Sequence, residues 1–155
     1  MFKKEVYIDR RNRLKAEIDS GIVLILGNSE ASYNYPANYY HFRQDSDFLY
    51  FFGIDHADFV GVMDVDNDKD YIFANDVDIE DIIWMGPQPT VKSQAAEVGV
   101  ENSAQYTELQ DFLMDATKAG RKVHFLPYYR GYRQVQLSGL LGINKDVVKN
   151  YVSQE

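Results

Sequence analysis

The stretch His41-Phe42-Arg43-Gln44-Asp45-Ser46-Asp47-Phe48-Leu49-Tyr50-Phe51-Phe52-Gly53 constrains this chain more than any other. A cation and two carboxylates lead directly into a run of aromatic and aliphatic side chains, which closes on a glycine. The planar donor fork of Arg43 can reach Asp45 or Asp47. Ser46 and Asp47 can accept hydrogen bonds from nearby backbone N–H groups. The polar part therefore reads as a loop fixed in one shape, and Phe48 to Phe52 reads as a β-strand. A structural role for the polar side chains is the simplest reading, because the run pairs no nucleophile with a base and builds no metal cage.

Around this stretch the pattern alternates between helix and strand. Tyr7, Leu14 and Ile18 recur at helical spacing among Arg10, Arg11, Arg13 and Lys15, so residues 5–19 are predicted to form an amphipathic helix stopped by Ser20-Gly21. Ile22 to Leu26 is an unbroken β-branched and leucine run, the pattern of a strand buried on both faces. Asn28 to His41 reads as a long loop containing Pro36. Phe59 to Asp64 and Tyr71 to Ala74 are strands joined by a polar turn at residues 66–69. With Phe48 to Phe52 they make a predicted antiparallel meander. Residues 79–85 and 91–98 are short helices separated by Gly86-Pro87-Gln88-Pro89. Thr107 to Lys118 is a helix with Leu109, Phe112, Leu113 and Ala116 on one face. Lys122 to Leu126 is a last strand, and residues 144–152 are the final helical candidate. The sum is an α/β fold: a mixed central sheet with an antiparallel meander and helices packed on it.

Composition narrows the function classes. The 155 residues suit one domain, spanning 1–155, with an apolar fraction of 45% that supplies a core rich in its twelve Tyr and nine Phe. A formal charge of −8 argues against a nucleic-acid surface, where clustered positive charge dominates affinity. No apolar run approaches the roughly 20 residues that span a bilayer, so no membrane is expected. The absence of cysteine excludes disulfides and thiolate chemistry and fits a cytoplasmic setting.

Few side chains are arranged for chemistry. Asp64, Asp66, Asn67, Asp68 and Asp70 alternate like the start of a calcium loop. Lys69, however, stands where that loop needs glycine, and Asn75 where it needs a bidentate Glu, so a solvated hairpin tip is the better reading. His41, His56 and His124 share no metal-ligand spacing, and no phosphate-binding glycine motif is present. Trp84, the single tryptophan, reads equally as a partly buried core residue or as an exposed anchor beside the Gly-Pro-Gln-Pro turn. The basic aromatic cluster of residues 128–133 is expected to make an intramolecular or subunit contact.

Residues 42–53 closely resemble the signature of the N-terminal domain of Xaa-Pro aminopeptidases (aminopeptidase P), which belongs to the creatinase/prolidase type. Asp81-Ile82-Ile83-Trp84-Met85-Gly86, followed by Ala95-Ala96-Glu97-Val98-Gly99-Val100, matches that family's Trp-x-Gly step and the turn after it. Residues 5–14 resemble its first helix and residues 21–28 its first strand. Creatinase, prolidase and enzymatically dead relatives such as the large subunit of the FACT histone chaperone share the fold. The Arg43-Gln44-Asp45-Ser46-Asp47-Phe48 match favours aminopeptidase P over them.

The resemblance implies an N-terminal domain coupled to a catalytic half of pita-bread fold. That half binds two divalent metals, commonly manganese, through two Asp, one His and two Glu, and it cleaves the amide bond before proline. None of those ligands can be placed in this chain, so no catalytic residue, metal site or cofactor is expected within it. The expected roles are oligomerisation with other subunits and restriction of substrate access beside its own catalytic half. Trp84 and, loosely, Asn38 are implied to face the substrate cleft of a neighbouring subunit. Arg43, Gln44, Asp45, Ser46, Asp47 and Gly53 form the structural signature.

Overall fold

The computed structural model describes residues 1–30, 41–128 and 131–143. Asn38 and its neighbours, Tyr129 and Arg130 of the basic aromatic cluster, and the helical candidate at 144–152 lie outside the described residues. Among the described residues, six α-helices and five strands follow one another, with a short 3-10 turn (Tyr106–Glu108) leading into α5: α1 (Lys4–Glu17), β1 (Ile22–Leu26), α2 (Ser46–Phe52), β2 (Val60–Asp64), β3 (Lys69–Phe73), α3 (Ile79–Met85), α4 (Val91–Glu97), β4 (Asn102–Ala104), α5 (Leu109–Lys118), β5 (Val123–Phe125) and α6 (Gly131–Leu141).

The strands form one mixed sheet in the order β4-β3-β2-β1-β5. β1, β2 and β3 are an antiparallel meander, with Leu24 opposite Val62 and Val62 opposite Tyr71. β5 adds parallel to β1, and β4 adds parallel to β3. Side chains alternate between the two faces. Val23, Ile25, Met63 and Ile72 face a core shared with Tyr7 of α1, Phe48 and Phe52 of α2, and Val91 and Ala95 of α4. Ile22, Leu24, Leu26, Val60, Val62 and Phe73 face a second core closed by Leu109 and Leu113 of α5 and by Leu137 and Leu140 of α6. The continuous apolar run of β1 is thus explained: all five of its residues are buried, between two helical layers.

The meander has a different first strand from the one the sequence suggests. Residues 48–52 belong to helix α2, and β1 takes the place assigned to them. Local chemistry overrides the β-propensity of these aromatic residues. The Asp45 carboxylate accepts from the N–H groups of Asp47 and Phe48, both at 3.0 Å, which caps a helix start. Gly53 ends the helix in the left-handed region at φ 64°, and its N–H donates to the Leu49 carbonyl at 3.0 Å. Within this seven-residue helix, Phe48 and Phe52 sit one above the other at i, i+4, stacked 5.4 Å apart and fully buried. The Phe52 ring lies where a Cβ on Gly61 would stand, so glycine in β2 lets α2 close onto the sheet.

The fold is pinned by cations that read as surface residues in the sequence. Arg11 is wholly buried on the inner face of α1. Its guanidinium donates to Asp70 Oδ2 at 2.7 Å, to the Phe51 carbonyl at 2.8 Å and to the Val98 carbonyl at 2.9 Å. One side chain thereby ties α1 to α2, β3 and the turn after α4, with its charge matched by a carboxylate. The β2–β3 hairpin is held in the same way. Lys15 reaches Asp68 at 2.8 Å and Asp70 at 3.1 Å, while Arg121 pairs with Asp64 and with Asp66 at 2.8 Å. The alternating carboxylates at 64–70 are therefore partners of arginine and lysine from α1 and the α5–β5 turn.

Candidate functional site: an exposed anchor helix and a buried polar hub

The signature residues 43–47 are an architectural hub at the end of β1. Gln44 is 3% exposed and uses its whole amide. Oε1 accepts from the N–H of Asn28 at 2.6 Å and of Asp45 at 3.0 Å, and Nε2 donates to the carbonyls of Ile54 at 3.0 Å and His56 at 2.7 Å. Asn28 Nδ2 donates in turn to the Arg43 carbonyl at 2.7 Å. Arg43 contributes its backbone to this hub. Its side chain is exposed and makes no ion pair with Asp45 or Asp47 among the described residues. The expected fork between them is absent because Asp45 faces the helix N–H groups instead. Asp45, rather than Ser46 or Asp47, is also the acceptor of those N–H groups. Burial and then the neighbouring Asp45 carboxylate push the Asp47 carboxyl above its ordinary range.

The basic aromatic cluster meets the same hub from the other side, as an intramolecular contact. Arg133 is 1% exposed, donates to the Leu26 carbonyl at 2.8 Å and bonds Asn28 Oδ1. Its guanidinium lies 4.9 Å from the centre of the Tyr128 ring. The Tyr128 hydroxyl accepts from Leu26 N–H at 2.8 Å, and its pKa is pushed up to about 12, chiefly by burial. Sequence reasoning missed Arg11 and Arg133 as organisers. A cation in register with buried apolar positions, such as Arg133 with Leu137 and Leu140 on α6, was the available signal.

The Trp84 region is the opposite kind of surface. No residue of α3 is buried. Trp84 is 88% exposed, with Ile79 at 74%, Ile83 at 74% and Met85 at 60% beside it. The helix is capped by Asp78, whose carboxylate accepts from Ile79 N–H at 2.6 Å, and it stops at Gly86. A helix this short is marginal on its own and is ordinarily stabilised by burying a face. α3 instead shows its apolar residues to solvent, above the acidic Glu80 and Asp81 of its first turn. These exposed apolar side chains make α3 a candidate interaction surface. Trp84 is thus an exposed residue rather than a core residue.

Among the described residues, no three His, Cys, Asp or Glu side chains converge to hold a metal, so the residues present do not fit a dinuclear centre. No helix among the described residues is long and apolar enough to cross a membrane.

An α/β/α sandwich whose sheet carries an antiparallel meander, with the capped Arg-Gln-Asp-Ser-Asp-Phe turn and a protruding tryptophan helix, sets the architecture of this chain. The sequence matches the aminopeptidase P N-terminal domain over residues 7–124, and the chain belongs to that family. A probable Xaa-Pro aminopeptidase of Aspergillus clavatus is 30% identical over 101 residues, covering 65% of this chain and 20% of that protein. One from Ajellomyces dermatitidis is 35% identical over 77 residues, covering 48% and 15%. The chain therefore spans about a fifth of the length of such relatives. Among solved structures, a histidine-to-alanine variant of Escherichia coli aminopeptidase P superposes with a TM-score of 0.76 at 22% identity, over 91% of this chain and 33% of that one. A zinc-substituted form of the same enzyme in complex with product superposes with a TM-score of 0.75. These likenesses establish the fold.

Proposed function

We propose that the chain serves as the non-catalytic N-terminal domain of a Xaa-Pro aminopeptidase, presenting Trp84 on α3 to the substrate cleft of a neighbouring subunit. The observation that carries this reading is the exposure of Trp84, 88%, on a helix with no buried residue of its own. A large rigid ring costs little conformational entropy to place and suits the compact, φ-fixed ring of proline. The hub around Gln44 holds the rest of the domain rigid, and the domain limits entry to short or unfolded N-termini. Bond cleavage and its two divalent metals, manganese by family resemblance, belong to the remainder of the parent polypeptide, which would be cytoplasmic and oligomeric.

The experiment compares the parent enzyme with its Trp84→Ala variant on Xaa-Pro peptides, with metal content and assembly measured alongside. Loss of an interface anchor is worth about 2 kcal/mol or more, so kcat/KM falls by about thirtyfold or more while metal content stays constant. The 155-residue chain alone, supplied with manganese, releases no first residue. Activity of that chain, or a Trp84→Ala parent indistinguishable from wild type, contradicts the reading.

A further inference from the structure

Between the end of β3 and the start of α4 the chain leaves the body of the domain and comes back to it. Ala74 is buried, and its N–H donates to the Ala104 carbonyl at 3.1 Å, so the departing chain is fixed to the sheet as far as Ala74. Val91, the first residue of α4, is buried in the core beside Ala95. Between these two points no residue from 77 to 90 is buried. All of α3, and Trp84 with it, therefore stands on a projection that the core does not support.

One side chain closes the base of this projection. Asp76 Oδ1 accepts the Val91 N–H at 2.6 Å, across fifteen residues of chain. That N–H lies in the first turn of α4, where a helix offers its own amides no acceptor, and a carboxylate makes the bond charge-assisted. Neighbouring Asn75 accepts the Tyr106 N–H at 3.2 Å, which fixes the outgoing limb one residue earlier. On the returning limb Gln94 Nε2 donates to the Pro89 carbonyl at 3.3 Å, and Pro87 and Pro89 restrict the path. Gly86 makes the reversal at φ 78° and ψ 179°, a conformation essentially confined to glycine. Among the described residues, only the Asp76 bond joins the outgoing limb directly to the returning one.

We propose that Asp76 is a positioning residue for Trp84: by tying the two limbs of the projection at its base, it sets the direction and reach with which α3 meets the neighbouring subunit. The proposal rests on the reading of Trp84 given above and extends it to a residue at the base of the projection. The reason is mechanical. With the limbs joined at Asp76 and Val91, α3 moves as one body on a fixed pivot. With that bond removed, each limb is attached to the domain separately, and the indole beyond them sweeps a wider arc. Catalysis that depends on holding a substrate in place is steeply sensitive to such displacement.

Two measurements test it, one of them independent of activity. In the 155-residue chain Trp84 is the single tryptophan, so time-resolved fluorescence anisotropy follows the projection alone. Asp76→Ala lowers the slowly decaying part of that anisotropy, and Asp76→Asn, which keeps an acceptor oxygen for the Val91 N–H, restores it. In the parent enzyme Asp76→Ala lowers kcat/KM on Xaa-Pro peptides by about fivefold or more, and Asp76→Asn recovers most of the loss. The loss vanishes when Asp76→Ala is combined with Trp84→Ala, because nothing is left to position. A loss that persists in the Trp84→Ala background assigns Asp76 a general structural role and overturns the proposal. So does unchanged anisotropy in Asp76→Ala, an Asp76→Asn variant as impaired as Asp76→Ala, or an unimpaired Asp76→Ala parent where Trp84→Ala is impaired. Trp84→Ala without effect on the parent marks the failure of the earlier reading, and the anisotropy then decides the Asp76 clamp by itself.

Discussion

The Gln44 side-chain carbonyl accepts the backbone N–H of Asn28 at 2.6 Å, joining the turn before α2 to the end of β1. The same amide holds the carbonyls of Ile54 and His56, so one side chain closes a loop that a sequence motif marks only as polar. Leaving buried donors and acceptors without partners costs about 1–3 kcal/mol each. Gln44→Ala is expected to destabilise the domain by about 2–4 kcal/mol in urea unfolding. A loss below about 0.5 kcal/mol, the range of ordinary surface substitutions, would remove the hub from the account.

Gly53 supplies a second test. Its φ of 64° and its approach to Tyr7, whose ring would meet an added Cβ at 2.3 Å, make the position intolerant of any side chain. Gly53→Ala should cost about 1–3 kcal/mol by combining backbone strain with overpacking. The Tyr7→Leu background, which clears part of that space, should recover some of the loss, and unfolding of the double variant measures the coupling.

Acid stability should depend on the β2–β3 hairpin. Burial acts to raise the pKa of Asp64, but hydrogen bonds from Asn67 and Arg121 outweigh it, and the folded-state value lies below the ordinary carboxylate range. Asp68 is lowered by its hydrogen bond and charge pairing with Lys15. A depressed folded-state pKa contributes stability above the unfolded-state value, near 4. That contribution is lost as pH falls through the folded-state value. Thermal unfolding followed from pH 7 downward should therefore show Tm dropping below about pH 4. Asp64→Asn should begin lower at neutral pH and show a shallower acid limb. An unchanged acid limb in that variant would assign the pH dependence elsewhere.

Much of this architecture was legible before any coordinates. The β1 run, the helical face of Leu109, Leu113 and Ala116, and the short helix that begins at Val91 follow from periodicity because burial decides those positions, whereas the helix at 79–85 buries nothing and is bounded by its Asp78 cap and Gly86. α2 was not legible by composition, since Phe-Leu-Tyr-Phe-Phe favours strand. Its helical state is set by the Asp45 cap, the Gly53 stop and the i, i+4 pairing of Phe48 with Phe52. α6 was hidden because Arg133 occupies a buried position where an apolar residue would have completed the pattern. Of the signature residues, Gln44 and Asp45 bond backbone groups through their side chains and Gly53 ends α2. Arg43 and Ser46 gave no sign in the sequence that their side chains stand aside from the cap.

The exposed helix makes a further prediction about stability. Because Trp84 packs against nothing that the fold needs, Trp84→Ala should leave the urea midpoint of the 155-residue chain within about 0.5 kcal/mol of wild type. A larger loss would mean that α3 is part of the core rather than a projection from it.

The central claim is that Trp84 is free in this domain and becomes covered when the parent enzyme assembles. As the single tryptophan of the chain, it reports that event directly through its fluorescence. In the 155-residue chain the emission should be that of a water-exposed indole, readily quenched by acrylamide. In the assembled parent, with its other tryptophans replaced, Trp84 emission should shift to the blue and resist quenching. Equal quenching of Trp84 in the two states would contradict the account.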